Sequence, residues 1–390
     1  MFICGIIAEY NPFHRGHEKH ISLARQTSAA DLVVCVMSGS FVQRGEPAIF
    51  DKWTRTKSAL LCGADAVIEL PLLYAIQSAQ GFASGGVRTL AAAGATDLCF
   101  GCETNDIDLL SRLARMLSDE DAAYKEALKQ SLGEGNSFPR ARMNAAGAPD
   151  VASMPGALLG IEYLKAIYTE YPYIKPHVVM REGAGYHSAD IEAYLPSATA
   201  IRAALAAGEK EKALAALPEA CQAFISEQLE SGLKPAFADA FDNALITTLR
   251  LKGPKYIKQL PDVSEGLENR IYAAALKCAT RADLIAAVKT KRYTYARISR
   301  ILLCALLGIT RDMMETANAA PVSHIRVLGA KSPDVLSKLA AAANVPLITT
   351  AAPPYPQIDT ASSNIWALTQ TASPFCDTDR DFTQRLLVGN

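Results

Sequence analysis

Short apolar runs alternate with amphipathic stretches along the first part of the chain. Phe2–Ala8, Asp31–Ser38, Ala66–Leu70 and Asp97–Gly101 are compact runs rich in Ile, Val, Leu and Cys. They do not alternate apolar with polar residues, so each predicts a strand covered on both faces. Between them, residues from about His17 to Thr27, Asp51–Cys62 and Ala83–Ala93 read as helices. Strands alternating with helices predict βαβ units and a parallel sheet, an α/β fold. Residues 105–150 read as helices that end in a Gly/Pro/Asn-rich loop over 133–150. Leu158–Tyr168 predicts a further helix and His177–Met180 a further strand. Ser197–Ala207 predicts a helix with Ser197 as its N-cap. From about residue 211 the pattern is almost all helical, Ile298–Leu307 included. The expected division is an α/β domain with a parallel sheet over 1–210 and a mainly helical domain over 211–390, with the boundary near 205–240.

Composition narrows the class. The chain has 390 residues, half of them apolar and a fifth charged, enough for a large core. No apolar run approaches the ~18–20 residues that cross a bilayer, so no membrane partner is expected. The apolar N-terminus lacks a basic leading region and meets Glu9 and Asn11 early, which suits a buried first strand rather than a signal peptide. The nine scattered cysteines then read as reduced thiols in a cytoplasmic protein. A net charge of −1 argues against non-specific nucleic-acid binding. The charge is uneven, however: residues 249–300 hold twelve Lys/Arg against four Asp/Glu.

The densest chemical signal is Gly5-Ile-Ile-Ala-Glu-Tyr-Asn-Pro-Phe-His14-Arg-Gly16-His17. A buried strand leads through a tight turn into a helix, and two histidines stand at the turn. Gly16 lets backbone approach a phosphate, and the helix N-terminus offers unpaired N–H groups and a favourable dipole. Two imidazoles can donate to phosphate oxygens and to charge developing during transfer. Open α/β sheets place ligands at this end of their strands. A zinc site built on His14, His17 and His20 lacks a Cys or carboxylate at helical spacing. Downstream, Ser197-Ala-Thr199-Ala-Ile-Arg202 places hydroxyls at a helix start with an arginine one turn on, a pattern that can grip terminal phosphates.

Taken together, these motifs resemble the nucleotidylyltransferase superfamily. With SGSFVQRGEPAIFDKWTR, GADAVIELP, FGCE, GIEYLKA, GAGYH, SATAIR and RVLGAK in order from residue 38 to about 331, the chain is similar to the bacterial tRNA-methionine cytidine acetate ligase family. The resemblance implies a Rossmann-like nucleotidyltransferase domain. It implies that ATP activates acetate as acetyl-adenylate with loss of pyrophosphate. The acetyl group then passes to N4 of the wobble cytidine of elongator methionine tRNA. Carried onto this chain, it implies an ATP loop over Ile7, Ala8, Glu9, Tyr10, Asn11, Pro12, Phe13, His14, Gly16, His17 and His20. Gly101 and Arg181 are implied to contact the nucleotide, and Ser197, Thr199 and Arg202 the terminal phosphates. Mg2+ is expected to accompany the triphosphate. The chain departs from the family at Pro155-Gly156-Ala157, where the family has Pro-Asn-Asn. An asparagine–nucleotide contact is therefore missing or replaced at Gly156.

Other residues leave alternatives open. Ser40, Gln43, Arg44, Lys52 and Arg55 follow the second strand. Arg44 and Lys52 suit phosphate or RNA backbone, or else a solvated loop. Cys99-x-x-Cys102 reads as buried thiols rather than a redox or metal pair. Tyr186-His187 lies either near the site or in a structural turn. The stretch from Lys289 to Arg300, with Lys291, Arg292, Tyr293 and Arg297, pairs cations with aromatics, as suits a single-stranded RNA loop, or it is a helix with a solvated face. A small-molecule adenylyltransferase and a non-catalytic ATP- and RNA-binding protein are the competing functions. The long basic C-terminal part favours a macromolecular acceptor over the first, and retained His14, His17, Thr199 and Arg202 count against the second.

Overall fold

A computed structural model describes residues 1–181, 196–264, 266–291, 293–351 and 356–389. Its centre is a sheet whose strands are β1 (Ile3–Ala8), β2 (Leu32–Ser38), β5 (Ala66–Leu70), β6 (Asp97–Cys102), β7 (Lys175–Met180), β8 (Ile325–Ala330), β9 (Leu347–Ile348) and β10 (Leu387–Val388). A short antiparallel hairpin of β3 (Phe41–Val42) and β4 (Glu46–Pro47) stands apart from it. The order across the sheet is β10-β8-β5-β2-β1-β6-β7, with β9 beside β8. From β5 to β7 all neighbours are parallel. The expected α/β architecture is therefore present, and β2 and β5 are buried throughout, as unbroken apolar strands require. Gly5 lets a helix press onto β1, since a Cβ there would lie 2.4 Å from Leu90 Cδ2.

Two elements differ from the sequence expectation. Residues 133–150, expected as a loop, contain the helix Phe138–Ala145. Pro139 sits in its first turn, where the missing N–H costs nothing. The C-terminal part is mainly helical as expected, but it also returns to the sheet, which the sequence pattern did not predict: β8 lies antiparallel beside β5, with β9 and β10 parallel to β8.

That return is held by a buried ionic cluster. Lys52 Nζ lies 2.6 Å from both Glu69 Oε1 and Asp381 Oδ1. Arg326 Nη1 lies 2.5 Å from Asp381 Oδ1. Two cations face two carboxylates, all nearly inaccessible to water. Removing one partner of such a group leaves a buried charge without compensation. Asp381→Ala is therefore expected to cost about 3–5 kcal/mol, read as a lower urea midpoint. A loss below about 1 kcal/mol would show that the cluster does not hold the C-terminal segment in place.

Candidate active site

The turn after β1 ends in His14, which N-caps the helix Arg15–Ser28. The His14 ring accepts from Gly16 N through Nδ1 at 3.1 Å, and the His17 ring accepts from His14 N through Nδ1 at 3.3 Å. Both Nδ1 atoms act as acceptors, so each neutral ring carries its hydrogen on Nε2. The rings stack with centroids 3.8 Å apart. Gly16 is needed for this cap, because a Cβ would lie 2.9 Å from His14 Cε1. His20 follows one turn later, and its buried Nε2 has no hydrogen-bond partner among the described residues.

All three imidazoles are held neutral. Burial, reinforced by Arg181 and Arg202, pushes His14 down to about 3. Burial, with His14 and Arg181, holds His17 well below the usual range. Burial and Arg181 push His20 down to about 4. The site therefore presents neutral N–H donors beside permanent guanidinium charges.

Those charges come from different elements. Arg181 follows β7, and its N–H donates to Cys102 O at 2.7 Å, which continues the β6–β7 ladder. Its side chain crosses Gly101, where a Cβ would lie 3.2 Å from Arg181 Cγ. Ser197 caps the helix Ala198–Ala206 by accepting from Ala200 N, as its sequence pattern predicts. Arg202 donates to Asn11 O at 2.7 Å and to Thr199 Oγ1 at 3.3 Å. The two distant motifs thus meet at the C-terminal ends of β1, β6 and β7.

The rest of the loop supports this arrangement from behind. Asn11 Oδ1 accepts from Ile49 N at 2.6 Å. Tyr10 and Phe13 are buried and pack against the His17 ring. Pro12 is buried, whereas Ile7, Ala8 and Glu9 are half-buried at the mouth. Burial raises the Glu9 carboxyl, with Gln43 N–H and the Arg44, Arg202 and Arg55 charges opposing it. Glu9 Oε1 accepts from Gln43 N at 2.7 Å. Arg55, named in the sequence without a role, is fully buried. It donates to Glu9 O at 2.7 Å and Ser38 O at 2.9 Å, and also to Phe50 O and Gly39 O.

Other expectations are corrected. Lys52 does not face a substrate, because its ammonium is enclosed between Glu69 and Asp381. Gly156 does not offer its N–H to a ligand: it donates to Glu103 Oε1 at 3.0 Å, and Ala157 N donates to Glu103 Oε2 at 3.0 Å. Glu103 was not singled out in the sequence, although a carboxylate directly after β6 was the signal available. Arg297 is engaged with Asp262 O and Ser264 Oγ and lies over the Tyr293 ring. Lys291 is exposed. Arg292, Tyr186 and His187 lie outside the described residues. Cys99 and Cys102 are buried free thiols, as the sequence reading expects.

A protein-held magnesium ion does not fit these residues. No group of three His, Cys, Asp or Glu side chains among those described could hold one.

The chain matches the HIGH Nucleotidyl Transferase family over residues 1–380. It is 38% identical to a tRNA(Met) cytidine acetate ligase from Halothermothrix orenii, over 94% of this chain and 91% of the relative. It is also 38% identical to one from Acetivibrio thermocellus, over 89% and 88%. The chain belongs to the tRNA(Met) cytidine acetate ligase family. Among solved members, Thermotoga maritima TmcAL superposes with a TM-score of 0.92 at 31% identity over the whole of both chains. The same protein bound with alpha-thio ATP superposes with a TM-score of 0.90 at 31% identity, again over both chains. The likeness to these structures extends over the whole α/β fold. No helix among the described residues is long and apolar enough to cross a membrane.

The neutral imidazoles set a pH dependence. Their folded pKa values lie below the unfolded value of about 6.5, so the unfolded chain takes up protons first on acidification. Their contribution to stability is complete above about pH 6.5 and is lost as pH falls toward 4 and then 3. Urea midpoints should fall across this range, and His14→Asn, which cannot titrate, should flatten the fall. Parallel profiles for the two proteins would refute this.

Proposed function

We propose that this protein uses ATP to activate acetate as acetyl-adenylate and then acetylates N4 of the wobble cytidine of elongator methionine tRNA, in the cytoplasm. The observation that carries the reading is the neutral His14–His17 pair facing Arg181 and Arg202, in a chain alike over 94% of its length to an enzyme of that name.

In the first half-reaction, an acetate oxygen attacks the α-phosphorus. The bond to the bridging oxygen breaks, and pyrophosphate leaves with that electron pair. The His14 and His17 Nε2–H groups donate to oxygens of the transferring phosphate. Arg202, with the Ser197–Thr199 helix start, holds the departing pyrophosphate, and Arg181 spans the region between. In the second half-reaction, the cytidine amine attacks the acetyl carbonyl. The amide bond forms, AMP leaves with the other pair, and one amine proton is released. AMP leaves readily, so this step depends on positioning and on exclusion of water.

Contacts between the hairpin and the helical part support the RNA half of the reading. Gln43 contacts Glu9 of the ATP loop. Arg281 donates to Gly45 O, Ser299 Oγ donates to Arg44 O and Gly45 O, and Tyr295 donates to Glu46 Oε1. The hairpin therefore joins the ATP loop to the basic stretch that carries the exposed Lys289 and Lys291. We assign tRNA binding to this side of the 211–390 part, with Arg44 at its inner edge.

The test is pyrophosphate release from ATP and acetate, with and without bacterial tRNA, followed by nucleoside mass analysis. The expected result is release together with N4-acetylcytidine. Release without modified cytidine would move the acceptor to another molecule. His14→Ala and His17→Ala should each slow release by roughly 10²-fold or more, and near-normal release by both would overturn their assignment.

A further inference from the structure

We propose that the Glu9 carboxylate is the general base of the second half-reaction, taking the proton that the cytidine amine loses as it attacks the acetyl carbonyl. The inference rests on the reaction and the ATP site assigned above. Glu9 directly follows Ala8, the last residue of β1. The sheet order sets what lies to either side of it. β6 and β7, with Gly101 and Arg181, lie on one side of β1; β2 and the hairpin that follows it lie on the other. The histidine turn begins just after Glu9. An acceptor that arrives over the hairpin therefore meets Glu9 on its way to the transferring phosphate.

The residue is held at both ends. Its carbonyl accepts from Arg55 Nη1 at 2.7 Å, and its Oε1 accepts from Gln43 N of the hairpin at 2.7 Å. No donor among the described residues meets Oε2, and that oxygen is not enclosed. One oxygen is thus fixed, while the other keeps its lone pairs at the half-buried mouth of the site. Three guanidiniums act on the carboxylate: Arg44 from the hairpin, Arg55 from the helix Lys52–Leu61 and Arg202 from the helix Ala198–Ala206. Burial makes Glu9 a stronger base than an exposed carboxylate, and the three charges favour its ionised form. The cytidine amine needs such a partner, because its lone pair is delocalised into the ring. As the C–N bond forms, the nitrogen becomes positive and its N–H acidic. Oε2 takes that proton, the bond from the acetyl carbon to AMP breaks with its pair on AMP, and Glu9 then passes the proton to water.

The rival role is a peg: Glu9 only fixes the hairpin, and an oxygen of the leaving phosphate takes the proton. Glu9→Gln separates the two, because its amide oxygen can still accept from Gln43 N while the side chain has no basicity. Adenylation is read as pyrophosphate–ATP exchange in the presence of acetate. Transfer is read in single turnovers, from protein preloaded with ATP and labelled acetate onto an unmodified transcript of elongator methionine tRNA. Glu9→Gln is expected to slow transfer by roughly 10²-fold or more, and exchange by far less. Glu9→Asp, which keeps a carboxylate, should recover part of the rate. The wild type gives a reading that needs no variant: its transfer rate should fall with pH along a limb above the ordinary carboxylate value, and Glu9→Gln should lack that limb. Transfer by Glu9→Gln within about threefold of wild type would overturn the proposal. So would equal losses in exchange and transfer, which would place Glu9 in ATP binding alone, or a wild-type transfer rate that does not change with pH. A wild type that exchanges pyrophosphate but never acetylates the transcript would overturn the assigned acceptor, and the proposal with it.

Discussion

The Arg55 guanidinium is the constraint on which the site depends. Parallel strands end with carbonyls that the sheet no longer pairs, and here several end together in a buried place. Arg55 collects them, donating to Glu9 O, Ser38 O and Gly39 O, and it also donates to Phe50 O just before its own helix. Burial lowers it only to about 10, so it stays charged at neutral pH. Only a planar fork with five donors spans four acceptors in different directions; a lysine ammonium could not. The end of β1, from which the histidine turn departs, is thereby tied to the end of β2.

From that anchor the electrostatics divide into two kinds of donor. Arg181 and Arg202 supply fixed charge and arrive from elements far from the histidine turn in sequence. The histidines supply hydrogen bonds without charge, and the arginines are part of the reason: a third or fourth cation so close would be repelled. Neutral rings with Nδ1 occupied by backbone leave only Nε2–H to point outward. Such preorganised donors favour the charge that develops in transfer without adding repulsion to the empty site. The cap that orients the rings also fixes where the helix begins, so folding of the turn and formation of the site are one event.

Local patterning made much of this legible. The apolar strands and the helices between them were readable because both faces of the central sheet are covered, and that leaves unbroken runs in the sequence. His14, His17, Ser197 and Arg202 were readable because strand–turn–helix junctions carry compact motifs. Elements stabilised by distant partners were not. β8 contains Arg326, which locally argues against a buried strand; it is tolerated because Asp381 and Glu69 lie beside it. Lys52 reads as a surface cation for the same reason. Glu103 was not legible because its partners, Gly156 and Ala157, come more than fifty residues later.

The place where β8 joins the sheet changes what the C-terminal part is for. All five residues of β5 are buried, and without β8 its free edge would be a row of unpaired N–H and C=O groups on an apolar strand, the kind of edge that invites pairing with another chain. The buried cluster has the same dependence: Lys52 and Glu69 come from the first part of the chain, Arg326 and Asp381 from the last. The α/β layer that binds nucleotide therefore reaches its covered, charge-balanced form only when the last seventy residues are in place. The helices between lie on a chain pinned at both ends to one sheet. That pinning holds the basic stretch against the hairpin beside Glu9, so the geometry between the nucleotide loop and the helical part is set by packing within one body rather than by a linker.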